Sequence, residues 1–208
     1  MARLLLIDDH PMVRMAARLM LERAGHTIAG ETGTGVEGLS LTRELQPDLV
    51  LLDLDIPGLG GLEVISRIMA QEAPPRILVL SGQDPAFFSG RCLRAGAHGF
   101  VYKQEDPNGL LDGVRAVLAG YRYFPDAAVA SSRALGSDAD EGVLLDSLSD
   151  RELTVLRYLA LGYSNKQIAD QFLINNKTVS SYKTRLQDKI GEISLLGLID
   201  FAKRNGVV

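Results

Sequence analysis

Leu49-Val50-Leu51-Leu52-Asp53-Leu54-Asp55-Ile56-Pro57-Gly58 decides how this chain folds. Five of its first six residues are apolar, the pattern of a strand buried on both faces of a parallel sheet. Pro57-Gly58 ends it, because proline cannot continue a central ladder and glycine allows a tight turn. This predicts a strand over 49–55, with Asp53 near its carboxyl end. Ligands bind at that edge of open α/β sheets. A carboxylate there is costly unless a cation or hydrogen-bond donors meet it.

Upstream, Arg3–Ile7 is a short apolar run that ends in Asp8-Asp9-His10-Pro11. Pro11 suits a first helical turn, and Val13, Ala16, Ala17, Met20 and Leu21 follow at helical spacing up to Gly25. His26 to Thr32 reads as a weaker strand and Gly35 to Leu45 as a helix. Downstream, Leu62, Ile65, Ile68 and Met69 mark a helix closed by Pro74-Pro75. Strands over 76–81 and 99–103 are each followed by a helix, from Pro85 to about Ala95 and from Asn108 to Ala119. A strand and a helix thus alternate five times, which predicts a doubly wound (βα)5 parallel sheet. In such a sheet Asp8, Asp9, Asp53, Ser81 and Lys103 share one edge. Clustered carboxylates call for a hard divalent cation, and Mg²⁺ with few protein ligands leaves room for a phosphoryl group. Asp53, on the most buried strand, is the candidate nucleophile for an aspartyl phosphate.

That set, with Ile56-Pro57-Gly58, Ser81-Gly82 and Gly99-Phe100-Val101-Tyr102-Lys103, resembles the receiver domain of two-component response regulators over about residues 3–120. The resemblance implies a flavodoxin-like fold in which Asp53 accepts phosphate from a sensor histidine kinase or a hybrid kinase's phosphotransfer domain. It implies Mg²⁺ held by Asp8, Asp9, Asp53 and the backbone carbonyl of Asp55. It makes Ser81 and Lys103 sensors of the phosphoryl group and Phe100 the aromatic switch, with Tyr102 a packing residue. Ser81 stands where threonine is commoner, and Gln104 stands where many receivers have proline, which leaves the cis peptide common at that bond open. Asp55 and Gln83 flank the pocket and are candidates for tuning hydrolysis. His10, His26 and His98 lack metal-like spacing and read as turn or surface residues; His10, beside the acid pair, can at most tune the pocket.

The net charge of −4 hides an asymmetry: residues 1–145 carry 13 Lys+Arg against 19 Asp+Glu, and residues 146–208 carry 9 against 7. An acidic front and a basic back suggest modules with different partners. Residues 1–121 read as the first module, 122–146 as a small, polar and acidic tether, and 147–208 as the second. The single cysteine, Cys92, rules out an internal disulfide and reads as buried and inert, consistent with a cytoplasmic protein. No leader pattern or membrane-spanning run is visible.

In the second module, Ser149 and Glu152 form a capping-box pattern for a helix that runs to Gly162. Ser164 caps a helix over 165–172, Asn175 caps one from Asn176 to about Ile190, and a fourth runs from Ser194 to Arg204. The third carries Lys177, Lys183, Arg185 and Lys189 against one acid, Asp188, an electrostatic footprint for phosphates. Thr178, Ser180, Ser181 and Thr184 add short polar side chains that can approach base edges.

Leu148-Ser149, Arg151-Glu152, Ser164-Asn165-Lys166, Ile168-Ala169, Asn176-Lys177-Thr178-Val179 and Tyr182 resemble the LuxR-type helix-turn-helix domain. With the receiver pattern in front, the chain resembles a NarL/FixJ-family response regulator. Residues 177–183 and 198–204 are similar to its BvgA/EvgA-like branch. The resemblance implies a non-enzymatic transcription regulator that binds double-stranded DNA and forms homodimers on phosphorylation, away from any membrane. It places Ser180, Ser181 and Thr184 at base-contacting positions, with Lys177, Lys183, Arg185 and Lys189 as phosphate contacts. Leu173 stands where the turn commonly has glycine. Two alternatives stay open on the residues: a DNA binder indifferent to phosphate, and a receiver whose helical module binds protein.

Overall fold

The computed structural model describes residues 1–57, 59–104, 108–125, 144–145, 147–172 and 174–208. It divides into two compact units, Met1–Ala134 and Leu135–Val208. Most of the expected tether, together with Gly58 and Leu173, lies outside the described residues.

The first unit alternates β1 (Arg3–Ile7), α1 (Pro11–Arg23), β2 (Thr27–Thr32), α2 (Gly35–Leu45), β3 (Leu49–Leu52), α3 (Gly61–Met69), β4 (Arg76–Ser81), α4 (Pro85–Ala95), β5 (Gly99–Tyr102) and α5 (Asn108–Leu118). The sheet is parallel throughout, in the order β2-β1-β3-β4-β5. The chain reverses direction across the sheet between β1 and β3, which opens a crevice at their carboxyl ends. Alternate strand residues serve opposite layers. Leu4, Leu6, Leu49, Leu51, Leu78, Leu80 and Val101 pack with Ala17 and Leu21 of α1 and Leu110, Val114 and Val117 of α5. Helices α2, α3 and α4 pack side by side on the other face.

The central strand ends at Leu52, three residues earlier than its apolar run suggested. Asp53 keeps its place beyond the strand because its N–H donates to the Ile7 carbonyl at 2.8 Å. Leu54 and Ile56 are still buried, which explains why the apolar pattern outlasts the ladder. Gly61 then lets α3 start hard against this segment. A Cβ there would lie 2.5 Å from Leu54 Cα and 2.9 Å from the Asp53 carbonyl oxygen. Gly61→Ala is therefore expected to cost about 1–3 kcal/mol by overpacking against backbone that cannot yield. Urea unfolding checks this, and an unchanged midpoint would contradict it.

The second unit holds α6 (Asp150–Ala160), α7 (Asn165–Gln171), α8 (Asn176–Ile190) and α9 (Leu195–Arg204). Capping boxes open both α6 (Ser149 with Glu152) and α7 (Ser164 with Gln167). Asn175 Oδ1 accepts from the Thr178 N–H at 2.7 Å, and Ser194 Oγ from the Gly197 N–H at 3.0 Å. Leu153, Leu156, Ile168, Val179, Leu186, Leu198 and Phe201 close a core among the four helices. Tyr158 stacks edge-on against Tyr163 and Phe172, with ring centroids 5.0 and 5.1 Å away.

Candidate functional sites on the sheet edge and the basic helix

The sheet gathers the expected residues. Asp8 follows β1, Asp53 follows β3, Ser81 ends β4 and Lys103 follows β5. Each loop residue stays registered to a neighbouring strand. Asp8 N–H donates to Thr32 O at 3.0 Å and Lys103 N–H to Ser81 O at 2.9 Å. No cis peptide occurs among the described residues, so Lys103–Gln104 is trans.

Lys103 Nζ lies 2.8 Å from Asp53 Oδ2 and 2.8 Å from Asp8 Oδ2, so one ammonium bridges two buried carboxylates. Asp53 Oδ1 is buried with no hydrogen-bond partner. Burial pushes the Asp53 carboxyl up to about 6, against the pull of Lys103 and with the Asp8 charge adding to the rise. Burial alone would lower the Lys103 ammonium, but the Asp53 and Asp8 charges outweigh it and raise it. An acid cluster with one lysine and an unspent buried oxygen is short of positive charge and of donors. The donor set fits a hard divalent cation, because carboxylate oxygens are its preferred ligands.

Ser81 is fully buried and its Oγ accepts from the Gln83 N–H at 3.2 Å. Gln83 Nε2 donates to Asp55 Oδ2 at 2.5 Å, bridging the loops after β3 and β4. The sequence put Asp55 and Gln83 beside the pocket but had no signal for their bond. Phe100 is 1 % exposed, two residues before Tyr102, which pairs with Ser81 in the ladder. Tyr102 is half-buried on β5.

One further residue was not foreseen in its role. Arg14 donates to the Asp8 carbonyl oxygen, and its Nε lies 3.8 Å from Glu31 on β2. Only the β1–β2 pairing brings those groups together. His10 is the exposed turn residue expected, and its Nδ1 faces the acids, 2.7 Å from Asp9 Oδ1, 3.3 Å from Asp8 Oδ1 and 3.9 Å from Asp53 Oδ2. Its backbone N–H donates to Asp8 Oδ1 at 2.8 Å, which holds the Nδ1 edge of an otherwise exposed ring beside the acids. His98 lies in the turn between α4 and β5, as expected. Its Nδ1 accepts from the Ile77 N–H at 3.1 Å, and burial, with Arg76 and Arg122 nearby, lowers its pKa.

On α8, Lys177, Ser180, Ser181, Thr184 and Arg185 are exposed, and Thr178 and Lys183 are half-buried. Ser180, Ser181 and Thr184 donate back to the carbonyls of Asn176, Lys177 and Ser180, four residues earlier. Their oxygens keep lone pairs for an outside donor. Asn165 Nδ2 donates to Ser180 Oγ at 3.3 Å, tying the start of α7 to α8. Lys189, also expected among the phosphate contacts, is engaged within the unit. Its Nζ lies 2.7 Å from Glu152 Oε2 and donates to the Ser147 carbonyl at 3.1 Å. Burial would raise the Glu152 carboxyl, but the Lys189 and Ser149 hydrogen bonds outweigh that and hold it below its ordinary value. Lys189 thus fastens the end of α8 to the start of α6. Lys189→Met, by stranding a buried carboxylate, is expected to cost about 1–3 kcal/mol. The salt dependence of DNA binding should not change. A flatter salt slope with an unmoved Tm would return Lys189 to the phosphate contacts.

No described helix is long and apolar enough to cross a membrane. Residues 4–115 match the response regulator receiver domain model, and residues 146–202 match the model of the luxR family of bacterial regulatory proteins. BvgA of Bordetella pertussis, a positive transcription regulator of virulence factors, is 48% identical over 205 residues, 99% of this chain and 98% of BvgA. EvgA of Escherichia coli, a DNA-binding transcriptional activator, is 37% identical over 203 residues, 98% of either chain. Among solved structures, RcsB of Salmonella enterica serovar Typhimurium, bound to a promoter in the presence of phosphomimetic BeF₃⁻, aligns with a TM-score of 0.57 at 25% identity. That alignment covers 96% of this chain and 97% of RcsB.

Proposed function

Since the chain belongs to the response regulators that join a receiver domain to a LuxR-type DNA-binding domain, we propose that phosphorylation of Asp53 by a sensor histidine kinase controls its binding to promoter DNA. The buried, unpartnered Asp53 Oδ1 beside Lys103 carries this reading.

Asp53 is the nucleophile. Its oxygen forms a bond to phosphorus as the phosphorus–nitrogen bond of a phosphohistidine breaks, and the departing imidazole keeps that electron pair and takes up a proton. At neutral pH a carboxyl with a pKa of about 6 is mostly ionised, ready to attack, and poorly solvated. Lys103, already between two carboxylates, can turn an N–H toward a phosphoryl oxygen. Ser81 can donate its hydroxyl to another. Asp8, Asp9, Asp53 and the Asp55 carbonyl would hold Mg²⁺, which when bound neutralises phosphoryl oxygens as charge builds on them. Phe100, on the strand beside Ser81, is the residue through which that shift would reach the surface. The Gln83–Asp55 bridge joins the loops that carry Asp53 and Ser81, so replacing either residue should alter the lifetime of the acyl phosphate.

On the second unit, Lys177, Lys183 and Arg185 contact phosphates, and Thr178, Ser180, Ser181 and Thr184 face base edges. Two copies, joined as a homodimer on phosphorylation, would set two α8 helices into successive major grooves about 34 Å apart. Residues 1–121 and 147–208 are the working modules of this scheme. Incubation with acetyl phosphate and Mg²⁺, read by intact mass and by sedimentation, tests it. The expected result is one added phosphoryl group and a shift toward dimer. Modification without any change in association or DNA affinity would favour a regulator indifferent to phosphate.

A further inference from the structure

We propose that Arg14 is a positioning residue for the cation of the carboxylate pocket: braced by Glu31, it fixes the peptide between Asp8 and Asp9 and so aims the Asp9 carboxylate. This rests on reading the pocket as a Mg²⁺ site, and adds what holds its ligands in place. Asp8 and Asp53 have supports of their own. The Asp8 N–H donates to the Thr32 carbonyl at 3.0 Å, the Asp53 N–H to the Ile7 carbonyl at 2.8 Å, and Lys103 Nζ lies 2.8 Å from both side chains. Asp9 stands past the last β1–β2 register pair, Ile7 with Thr32. Its carboxylate meets His10 Nδ1 at 2.7 Å, but that ring is 60 % exposed and its hydrogen bond goes to Asp8. The direction of the Asp9 side chain therefore depends on the plane of the Asp8–Asp9 peptide. Arg14 Nη1 donates to the carbonyl oxygen of that peptide.

The guanidinium suits this task. While Nη1 donates to the Asp8 carbonyl, Nε lies 3.8 Å from Glu31 Oε2. Glu31 sits on β2 opposite Leu6, and Arg18, one turn further along α1, holds its other oxygen. The strut thus runs from a fixed ladder position to the peptide that bears the acids. A planar fork can meet a carbonyl and a carboxylate at once, whereas an ammonium is a single point charge. The Arg14 N–H donates to the His10 carbonyl at 3.1 Å, so the first turn of α1 sets where the side chain begins. The β2–α2 turn lies over the contact: a Cβ on Gly33 would stand 3.6 Å from Arg14 Nη1 and 3.7 Å from the Asp8 carbonyl oxygen. By its field alone, a cation beside an acidic pocket weakens the binding of a second cation. Positioning predicts the opposite sign: removing Arg14 loosens Mg²⁺.

The test uses the full chain stripped of metal, Mg²⁺ added back, and the variants Arg14→Met, Arg14→Lys, Arg18→Met and Asp53→Asn. Mg²⁺ affinity is read by calorimetric titration, folding by urea unfolding without metal, and function by the rate of mass gain from acetyl phosphate as Mg²⁺ is raised. Arg14→Met should bind Mg²⁺ roughly tenfold or more weakly than the parent. The Mg²⁺ needed for half-maximal phosphorylation should rise by the same factor, with the rate at saturating Mg²⁺ little changed. Arg14→Lys, which can meet the carbonyl or Glu31 but not both, should fall between the two, and is read in place of Arg14→Met if the latter does not fold. Arg18→Met loses its bond to Glu31 but no contact with Asp8, and should keep the parent's affinity. An Arg14 variant that folds and binds Mg²⁺ as tightly as the parent, or more tightly, overturns the role assigned to Arg14 while the pocket stands as a cation site. An equal loss in Arg18→Met overturns it too. If the parent binds no Mg²⁺, or Asp53→Asn leaves binding untouched, the cation reading itself falls.

Discussion

Asp53→Asn is expected to gain no phosphoryl group from acetyl phosphate and Mg²⁺ while the parent chain gains one, the largest functional effect of any single substitution in the first unit. The carboxamide keeps the shape of the protonated acid but has no nucleophilic oxygen anion. Phosphorylation measured at another residue in this variant would remove Asp53 from its role. The same substitution should make the metal-free protein more stable at neutral pH. Asp53 is raised from 3.8 to about 6, chiefly by burial, so the folded state holds this proton more tightly than the unfolded chain does. The resulting stability is fully present below pH 3.8 and is lost as pH rises through about 6. By linkage the ionised group costs about 3 kcal/mol above that range. Asp53→Asn escapes this cost. Its unfolding midpoint should exceed the parent's at pH 7.5, and the gap should close at acid pH. Saturating divalent ion should narrow the gap from the other side, since it stabilises only the parent's ionised pocket. A variant less stable than the parent at pH 7.5 without metal would mean that the Lys103 bridge outweighs desolvation.

The second large effect belongs to α8. Replacing Lys177, Lys183 and Arg185 together by alanine removes three of the four cations on that helix and leaves Lys189 on Glu152. If each replaced cation neutralises one DNA phosphate, the slope of log affinity against log salt should fall by about 2.7, at roughly 0.9 per phosphate. Gel-shift titrations from low to moderate salt give that slope. The fold should survive, because none of the three is buried and the helix core rests on Val179 and Leu186. An unchanged slope would place the DNA on another surface, and no binding by the parent at low salt would favour a protein partner for this unit. Arg185 also lies 5.9 Å from the Tyr182 ring centroid. Arg185→Lys should therefore keep the charge while losing the stacked guanidinium, and so retain most of the salt slope.

Much of this molecule was legible along the chain. Apolar run lengths located all five strands, and Pro11, Gly25 and Pro74-Pro75 punctuated the helices between them. Ser149 and Glu152 announced the start of α6 because a capping box needs only residues three apart. The same pattern at Ser164 and Gln167 went unread, although glutamine serves as well as glutamate. The end of β3 is hidden for a different reason: burial of Leu54 and Ile56 continues after ladder pairing stops, and hydropathy reports only burial.

By itself the sequence determined the order of elements, the edge on which Asp8, Asp53, Ser81 and Lys103 gather, and the family. These depend on local spacing and on the rule that parallel strands share their carboxyl ends. Only the tertiary structure decided which charge meets which. It set Lys103 between Asp8 and Asp53, held the Nδ1 edge of His10 beside the acids, bridged Gln83 to Asp55 and drew Lys189 away to Glu152. A long or pivoting side chain has many rotamers of similar energy. Its partner is chosen by separations of a few ångströms that exist only once strand register and helix packing are in place.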